Sequence, residues 1–287
     1  MNIIVALLCN WTSGYELALN WKKMMPSNSK IVLWDLMGSS SRPALPDYWV
    51  IINFPPPHSY FIPRKTVVFE MEPIRLWKQL DIHSNLFLKV YSHATEYNNI
   101  EWHLDFNASE IDVPNLIEKT YENTISSVLS AKYFDPGHIK RINFVKYLEH
   151  LNVPIDVYGD NFGKYISYKG SLPAGVKNKG MYPYKYHFNA ENHSKQNYFT
   201  EKITDAILSE CLCFYWGCPN ISEYIDPRAY IVLDLDNFEH SAQIVIEAIK
   251  HNEWEKRIDI IRQEKRKLVS QLNFFTRLEN LLIQQNK

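Results

Sequence analysis

Short apolar runs recur along the first part of the chain, at residues 2–9, 30–34 (Lys-Ile-Val-Leu-Trp), 49–53 (Trp-Val-Ile-Ile-Asn) and 66–69 (Thr-Val-Val-Phe), with helix-like stretches between them. Runs of this length, apolar throughout rather than alternating, predict buried strands of a parallel sheet covered by helices. Pro55-Pro56-Pro57 cannot continue a ladder, so the chain leaves the sheet after the third run. A second cycle begins at Ile125–Leu129. It passes a helix over 138–151, whose face is Ile142, Val145, Leu148 and Leu151, and reaches a strand at Ile155–Gly159. Two such cycles predict two domains, 1–120 and 121–287. The last helix could pack back on the first domain.

Residues 159–180, rich in Gly, Lys and Tyr, show neither periodicity and predict a long loop. The end of the chain is helical in pattern through Trp254, Ile258, Ile261, Leu268, Leu272 and Phe275, beside a basic group of Arg262, Lys265, Arg266 and Lys267. Glu255, Asp259 and Glu264 dilute that group, so an amphipathic helix with a solvated basic face is expected rather than a peripheral membrane contact.

Composition narrows the function classes. With 46% hydrophobic residues in 287, the chain can bury a sizeable core. Its 31 basic residues are balanced by 32 acidic ones, so no global field favours nucleic acid or an anionic membrane, and any anion site must be local. The four cysteines lack zinc-ligand spacing and suit a reducing compartment, so a cytoplasmic location is expected. Ile3–Cys9 is too short to span a bilayer and has no basic residue before it, unlike a signal peptide.

The densest chemistry lies at Tyr184-Lys185-Tyr186-His187-Phe188-Asn189-Ala190-Glu191-Asn192 and Tyr198-Phe199-Thr200-Glu201-Lys202. Thr200 can cap a helix with Ile203, Ala206, Ile207 and Leu212 on its apolar side. A helix N-terminus with a lysine suits a pyrophosphate, and a carboxylate beside it can accept two hydrogen bonds from a sugar diol. Ordinary first-turn chemistry explains the same residues, and spacing alone favours that plainer account.

These two motifs, followed by Phe214-Tyr215-Trp216-Gly217 and Pro227-Arg228-Ala229-Tyr230-Ile231, resemble in order and spacing the C-terminal half of the α-1,3/4-fucosyltransferases, glycosyltransferase family 10. The resemblance implies an α/β fold of GT-B type, two Rossmann-like domains facing a cleft. It also implies inverting transfer of L-fucose from GDP-fucose to a hydroxyl of a glycan acceptor, without a required cofactor. Carried over by motif, Tyr184, Asn192, Tyr198, Glu201 and Lys202 contact the donor, with Lys202 on the diphosphate and Glu201 near the ribose, while Glu191 orients the loop. The family also places a basic residue upstream of the Tyr-Lys-Tyr motif on the diphosphate. Lys164, Lys169, Lys177 and Lys179 compete for that role, and Lys177 is preferred.

Two residues depart from the family pattern. Ala190 stands where an aromatic is usual and Ala229 where a serine is common. One altered pocket wall can change selectivity by about 10–200-fold, so a different nucleotide sugar on the same fold is the alternative reading. A non-catalytic glycan- or nucleotide-binding protein is a further alternative.

The expected base is Glu72, with Glu70 as runner-up. Their alternate positions after Val67-Val68-Phe69 put both carboxylates on one side of a strand, and Glu72-Pro73 resembles an element of the family's first domain. His93 could face the acceptor, although a lone histidine is more often structural. Asp234-Leu235-Asp236 resembles a metal-binding Asp-x-Asp but follows a strand late in the second domain, so a polar strand exit and no metal site are expected.

Overall fold

The computed structural model describes residues 2–72, 84–97, 100–113, 116–160, 165–173 and 176–285. Lys164 and Pro73 lie outside these. The chain forms two compact units: 1–99 with 107–109 and 270–287, and 100–106 with 110–269.

The first unit is a parallel sheet in the order β2-β1-β3-β4-β5, built from β1 (Ile3–Cys9), β2 (Ile31–Leu33), β3 (Tyr48–Ile52), β4 (Thr66–Glu70) and β5 (Lys89–Ser92). The apolar runs supply its core, with Val5, Leu7, Val50, Ile51, Ile52, Val67 and Val68 fully buried. Helix α1 (Gly14–Trp21) opens on Ser13, whose hydroxyl accepts from Glu16 N.

The second unit is a parallel sheet in the order β11-β10-β9-β6-β7-β8. Its strands are β6 (Tyr121–Leu129), β7 (Ile155–Gly159), β8 (Tyr168–Gly170), β9 (Tyr184–Ala190), β10 (Leu212–Trp216) and β11 (Tyr230–Val232). Strand order reverses between β6 and β9, and open parallel sheets bind ligands outside the carboxyl ends of their strands at such a reversal. Helix α2 (Pro136–His150) buries Ile142, Val145 and Leu148 as the periodicity predicts. Leu151, expected on the same face, lies past the last turn and is exposed. Helix α3 (Glu201–Leu208) buries Ile203, Ala206 and Ile207, but Leu212 belongs to β10, because the helix stops at Ser209 and Glu210 turns through a positive φ of 56°. The long loop at 159–180 contains β8 and a short turn, Lys177–Gly180.

The sequence-based boundary at 120 falls inside the second unit. Ile100, Trp102, Leu104 and Phe106 are all buried, and Asp105 exchanges two hydrogen bonds with Asn178, from Asp105 N to Oδ1 (2.8 Å) and from Nδ2 to Asp105 O (2.9 Å). This segment is a strap bound to the second unit ahead of its first strand.

The C-terminal helical pattern resolves into α4 (Phe238–Lys250), α5 (Glu253–Lys267) and α6 (Phe274–Gln285), with a π-helical stretch at Leu268–Leu272 before the last. Helix α6 belongs to the first unit. Phe274 packs against Trp21 (4.8 Å between ring centroids) and Phe69 (4.7 Å), and Arg277 pairs with Glu96.

Candidate functional site

The strand reversal of the second unit carries a buried polar group at the exits of β6 and β9. Glu191, the residue after β9, is fully buried and ionically paired with Lys202 (3.3 Å). It accepts hydrogen bonds from Thr200 N (2.9 Å), Thr200 Oγ1 (2.7 Å) and the Tyr215 hydroxyl (3.3 Å). A buried carboxylate survives only when its lone pairs are filled in this way. Filling them folds the 191–200 loop back on itself and sets the start of α3. Two glycines permit the close packing. A Cβ at Gly137 would meet Glu191 O at 1.8 Å, and one at Gly217 would meet Glu191 Cγ at 2.4 Å.

Lys202 Nζ donates to Thr200 Oγ1 (3.0 Å) and Glu201 Oε1 (3.3 Å). Burial works against its charge, but Glu201 and Glu191 outweigh that and raise its pKa. Glu201 follows the same logic with the sign reversed. Burial opposes its ionisation, yet Lys202, His103 and Lys177 hold the carboxyl well below the usual range. Both groups are therefore charged at neutral pH.

Arg141 on α2 completes the group, and sequence reasoning did not single it out. Its guanidinium donates to Ala190 O (3.3 Å), Asn192 Oδ1 (3.1 Å) and Ser130 Oγ (3.0 Å), so it bridges the exits of β9 and β6. These acceptors are all uncharged, and Nε has no hydrogen-bond partner. Burial lowers the Arg141 pKa, with Glu191 and Glu201 opposing the shift. Lys202 and Arg141 are near enough for the second to depress the pKa of the first. Nothing in the spacing of the sequence marks Arg141, one of two polar positions, with His138, on the buried side of α2.

Of the predicted donor residues, Asn192, Glu201 and Lys202 come together here, and Tyr198 is buried in the same loop. Tyr184 does not join them. It opens β9, six residues and about 20 Å of strand before the exit. Its hydroxyl is shared with Tyr158 (2.7 Å) and Asp156 (2.9 Å) on the sheet face. Lys177 is committed to buried Asp205. Lys169 pairs with Asp156 (3.1 Å), and Lys179 is exposed. Ala190 and Ala229 are both fully buried, so neither side chain forms an exposed pocket wall.

In the first unit, β4 ends at Glu70, which is buried and accepts from Ser92 Oγ (2.7 Å). Glu72 lies two residues beyond the strand and is exposed. Asn53, in the left-handed region at φ 57°, fixes this turn by accepting from Met71 N (2.8 Å) and Glu72 N (3.3 Å). The two carboxylates thus do not share one strand face: one is tied to β5 and the other open. His93 is buried beside Ser92. Asp234 and Asp236 form a turn, Asp236 N donating to Asp234 Oδ1 (2.9 Å), and Asp236 pairs with Lys140. Among the described residues, the one group of metal-ligating type is Glu101, His103 and Glu201.

Residues 122–254, which include Arg141, Glu191 and the start of α3, match the sequence model of the glycosyltransferase family 10 (fucosyltransferase) C-terminal domain. The match covers somewhat less than half of this chain. An 82-residue stretch is 34% identical to the α-(1,3)-fucosyltransferase FucT of Helicobacter pylori, covering 28% of this chain and 17% of that protein. The match thus spans under a fifth of that relative's length. A crystal structure of an α1,3-fucosyltransferase with GDP is similar over 96% of this chain and 92% of its own, at a TM-score of 0.57 and 16% identity. An α-glucosyltransferase solved with UDP and a mismatched 13-mer DNA is similar over 99% of both chains, at 0.59 and 10%. By these likenesses of fold, the two units are Rossmann-like and of the GT-B type. Among the described residues, no helix is long and apolar enough to cross a membrane.

Proposed function

We propose that the protein is an inverting fucosyltransferase that moves L-fucose from GDP-fucose to a hydroxyl of a glycan acceptor. The observation that carries this reading is the placement of Arg141 and Lys202 at the strand reversal of the unit that matches the family 10 sequence model. Arg141 offers a guanidinium whose present acceptors are uncharged, which suits bidentate capture of a phosphate. Lys202 and the N-terminal turn of α3 add charge and dipole of the same sign. Glu201, ionised beside them, accepts the two hydrogen bonds of the ribose diol, and Asn192 is oriented by Arg141 to face the same ligand.

In the transfer, the acceptor oxygen bonds to the anomeric carbon as the bond to the diphosphate oxygen breaks on the opposite face. The acceptor proton passes to a carboxylate, and the GDP leaving group delivers its charge to Arg141 and Lys202. Glu72 is assigned as that base because its carboxylate is open, whereas Glu70 is hydrogen-bonded to Ser92. Four free, buried cysteine thiols support a reducing compartment such as the cytoplasm.

The test is a donor panel of GDP-fucose, other GDP sugars and UDP sugars, read as thermal stabilisation and as turnover on glycan acceptors. GDP-fucose should both stabilise and react, giving a product of inverted anomeric configuration by NMR. Response to a UDP sugar alone would refute the assignment of fucose. Binding of GDP-fucose with no transfer to any acceptor would favour a binding protein.

A further inference from the structure

The strap at 100–106 alternates strictly. Ile100, Trp102, Leu104 and Phe106 are buried, while Glu101, His103 and Asp105 take the intervening positions. Trp102 Nε1 donates to Phe106 O (2.8 Å), which holds the buried side in place. His103 is aimed by its own main chain. Its N–H donates to Asp205 Oδ1 (2.9 Å), and Asp205 lies one helical turn beyond Glu201 on α3. The result is a compact trio. The ligating atoms of Glu101, His103 and Glu201 all lie within 4.8 Å of one another, and His103 Nε2 is 3.7 Å from Glu101 Oε1.

We infer that His103 is a positioning residue that holds the Glu201 carboxylate in the orientation needed to receive the donor's ribose diol. The inference rests on the reading of Glu201 as a donor ligand. Glu201 sits between cations on two elements, Lys202 on its own helix and His103 on the strap, and a carboxylate so bracketed has little freedom to turn. Glu101 supplies the second negative charge that lets the imidazole stay protonated beside Lys177 and Lys202. The charged groups around the ring are Glu101 on the strap, Glu201, Lys202 and Asp205 on α3, and Lys177 on the short turn, itself tied to Asp205.

The electrostatics agree with the geometry. Partial desolvation of the half-exposed ring works against the His103 charge, but Glu201 and Glu101 overcome it and push the pKa up to about 9. An imidazolium is thus the resident form through neutral pH and is lost as pH rises through about 9. A divalent cation would need the neutral imidazole and would be repelled by Lys177 and Lys202, so the proton is the better occupant of the trio.

Two measurements test this. In the ligand-free protein, the His103 ring should titrate near 9 by NMR, and the midpoint should fall in both Glu101→Gln and Glu201→Gln. In kinetics, His103→Leu should raise the KM for GDP-fucose about tenfold at neutral pH, with kcat nearly unchanged, and His103→Arg should restore it. The wild-type KM should climb above pH 9, and the climb should be absent in His103→Arg. A wild type that binds GDP-fucose while His103→Leu shows the same KM and pH profile would overturn the inference. So would a ring titrating near its ordinary 6.5, or stoichiometric zinc or manganese binding that displaces the proton. Failure of the wild type to bind GDP or GDP-fucose would instead overturn the donor reading and this role together.

Discussion

Acidification should unfold the second unit through His187. This residue lies in the centre of β9, fully buried, with Nδ1 2.7 Å from Ser126 Oγ on β6. Burial, with help from Lys177, lowers its pKa to about 3. In the unfolded chain the same ring titrates near 6.5. Below that value the unfolded state binds a proton that the folded state refuses, so stability falls as pH drops from about 6.5 towards 3. Each pH unit is worth about 1.4 kcal/mol, giving a loss of about 2 kcal/mol by pH 5 from this group alone. His138, buried at the start of α2 and lowered to about 4 by burial and Arg141, adds a loss of the same sign and about the same size by pH 5. His103 acts in the opposite direction, since its raised value contributes stability below 6.5 that is lost as pH rises through about 9. Its half-exposed side chain makes that offset the smaller term. Hydrogen exchange of the β6 and β9 amides reads the second unit by itself and should show the loss between pH 7 and 5, after correction for the intrinsic exchange rate. In His187→Gln the drop over the same interval should shrink by about 2 kcal/mol, whatever the variant's stability at pH 7. Equal drops in wild type and variant, or a His187 ring that titrates near 6.5, would refute the reasoning.

Three further outcomes are expected. Arg141→Lys keeps the charge but loses the fork that spans Ser130 and Asn192, so GDP affinity by calorimetry should weaken by about 10–100-fold with the fold retained. Glu72→Gln should lower kcat by about 10²–10⁴-fold and leave GDP affinity unchanged. If Glu70→Gln produces that loss and Glu72→Gln does not, the base is misassigned. Glu191→Ala, which leaves Thr200 and Tyr215 without their acceptor and removes one partner of buried Lys202, should cost about 3–5 kcal/mol in denaturant unfolding.

The parallel sheets were legible because their central strands are continuous apolar runs, as at Val67-Val68-Phe69 and Ile51-Ile52. Strand β5 was not, since Lys89-Val-Tyr-Ser is short, mixed and only partly buried. The strap did carry a readable signal, alternation at Ile100, Trp102, Leu104 and Phe106, but the segment joins neither sheet. Alternation shows that one side of a segment is covered without showing which unit covers it, so the pattern alone does not assign the strap to the second unit. At the site, the first-turn chemistry of Thr200, Glu201 and Lys202 could be argued from local rules. Arg141 and His103 could not, because they meet the site across 51 and 102 residues of sequence, at Asn192 and Asp205. Tyr184 shares its motif with Asn192, but its place at the start of β9 separates it from the exit where Asn192, Glu201 and Lys202 gather.

The placement of α6 constrains how the polypeptide acquires its structure during synthesis. Phe274 fills the space between Trp21 and Phe69, and Glu279 accepts from Ser29 Oγ (2.6 Å) and Lys30 N (2.9 Å). The first sheet emerges from the ribosome early, yet its wall is completed by residues translated some 180 codons after β5. Until then the indole of Trp21 and the ring of Phe69 have no partner from α6, whereas the second unit has all its strands by residue 232. Nascent chains should therefore show the later-made sheet protected from protease before the earlier-made one, reversing the usual N-to-C order of domain maturation. Arrested chains ending near residue 269 that already protect β1 and β4 fully would contradict this sequence of events.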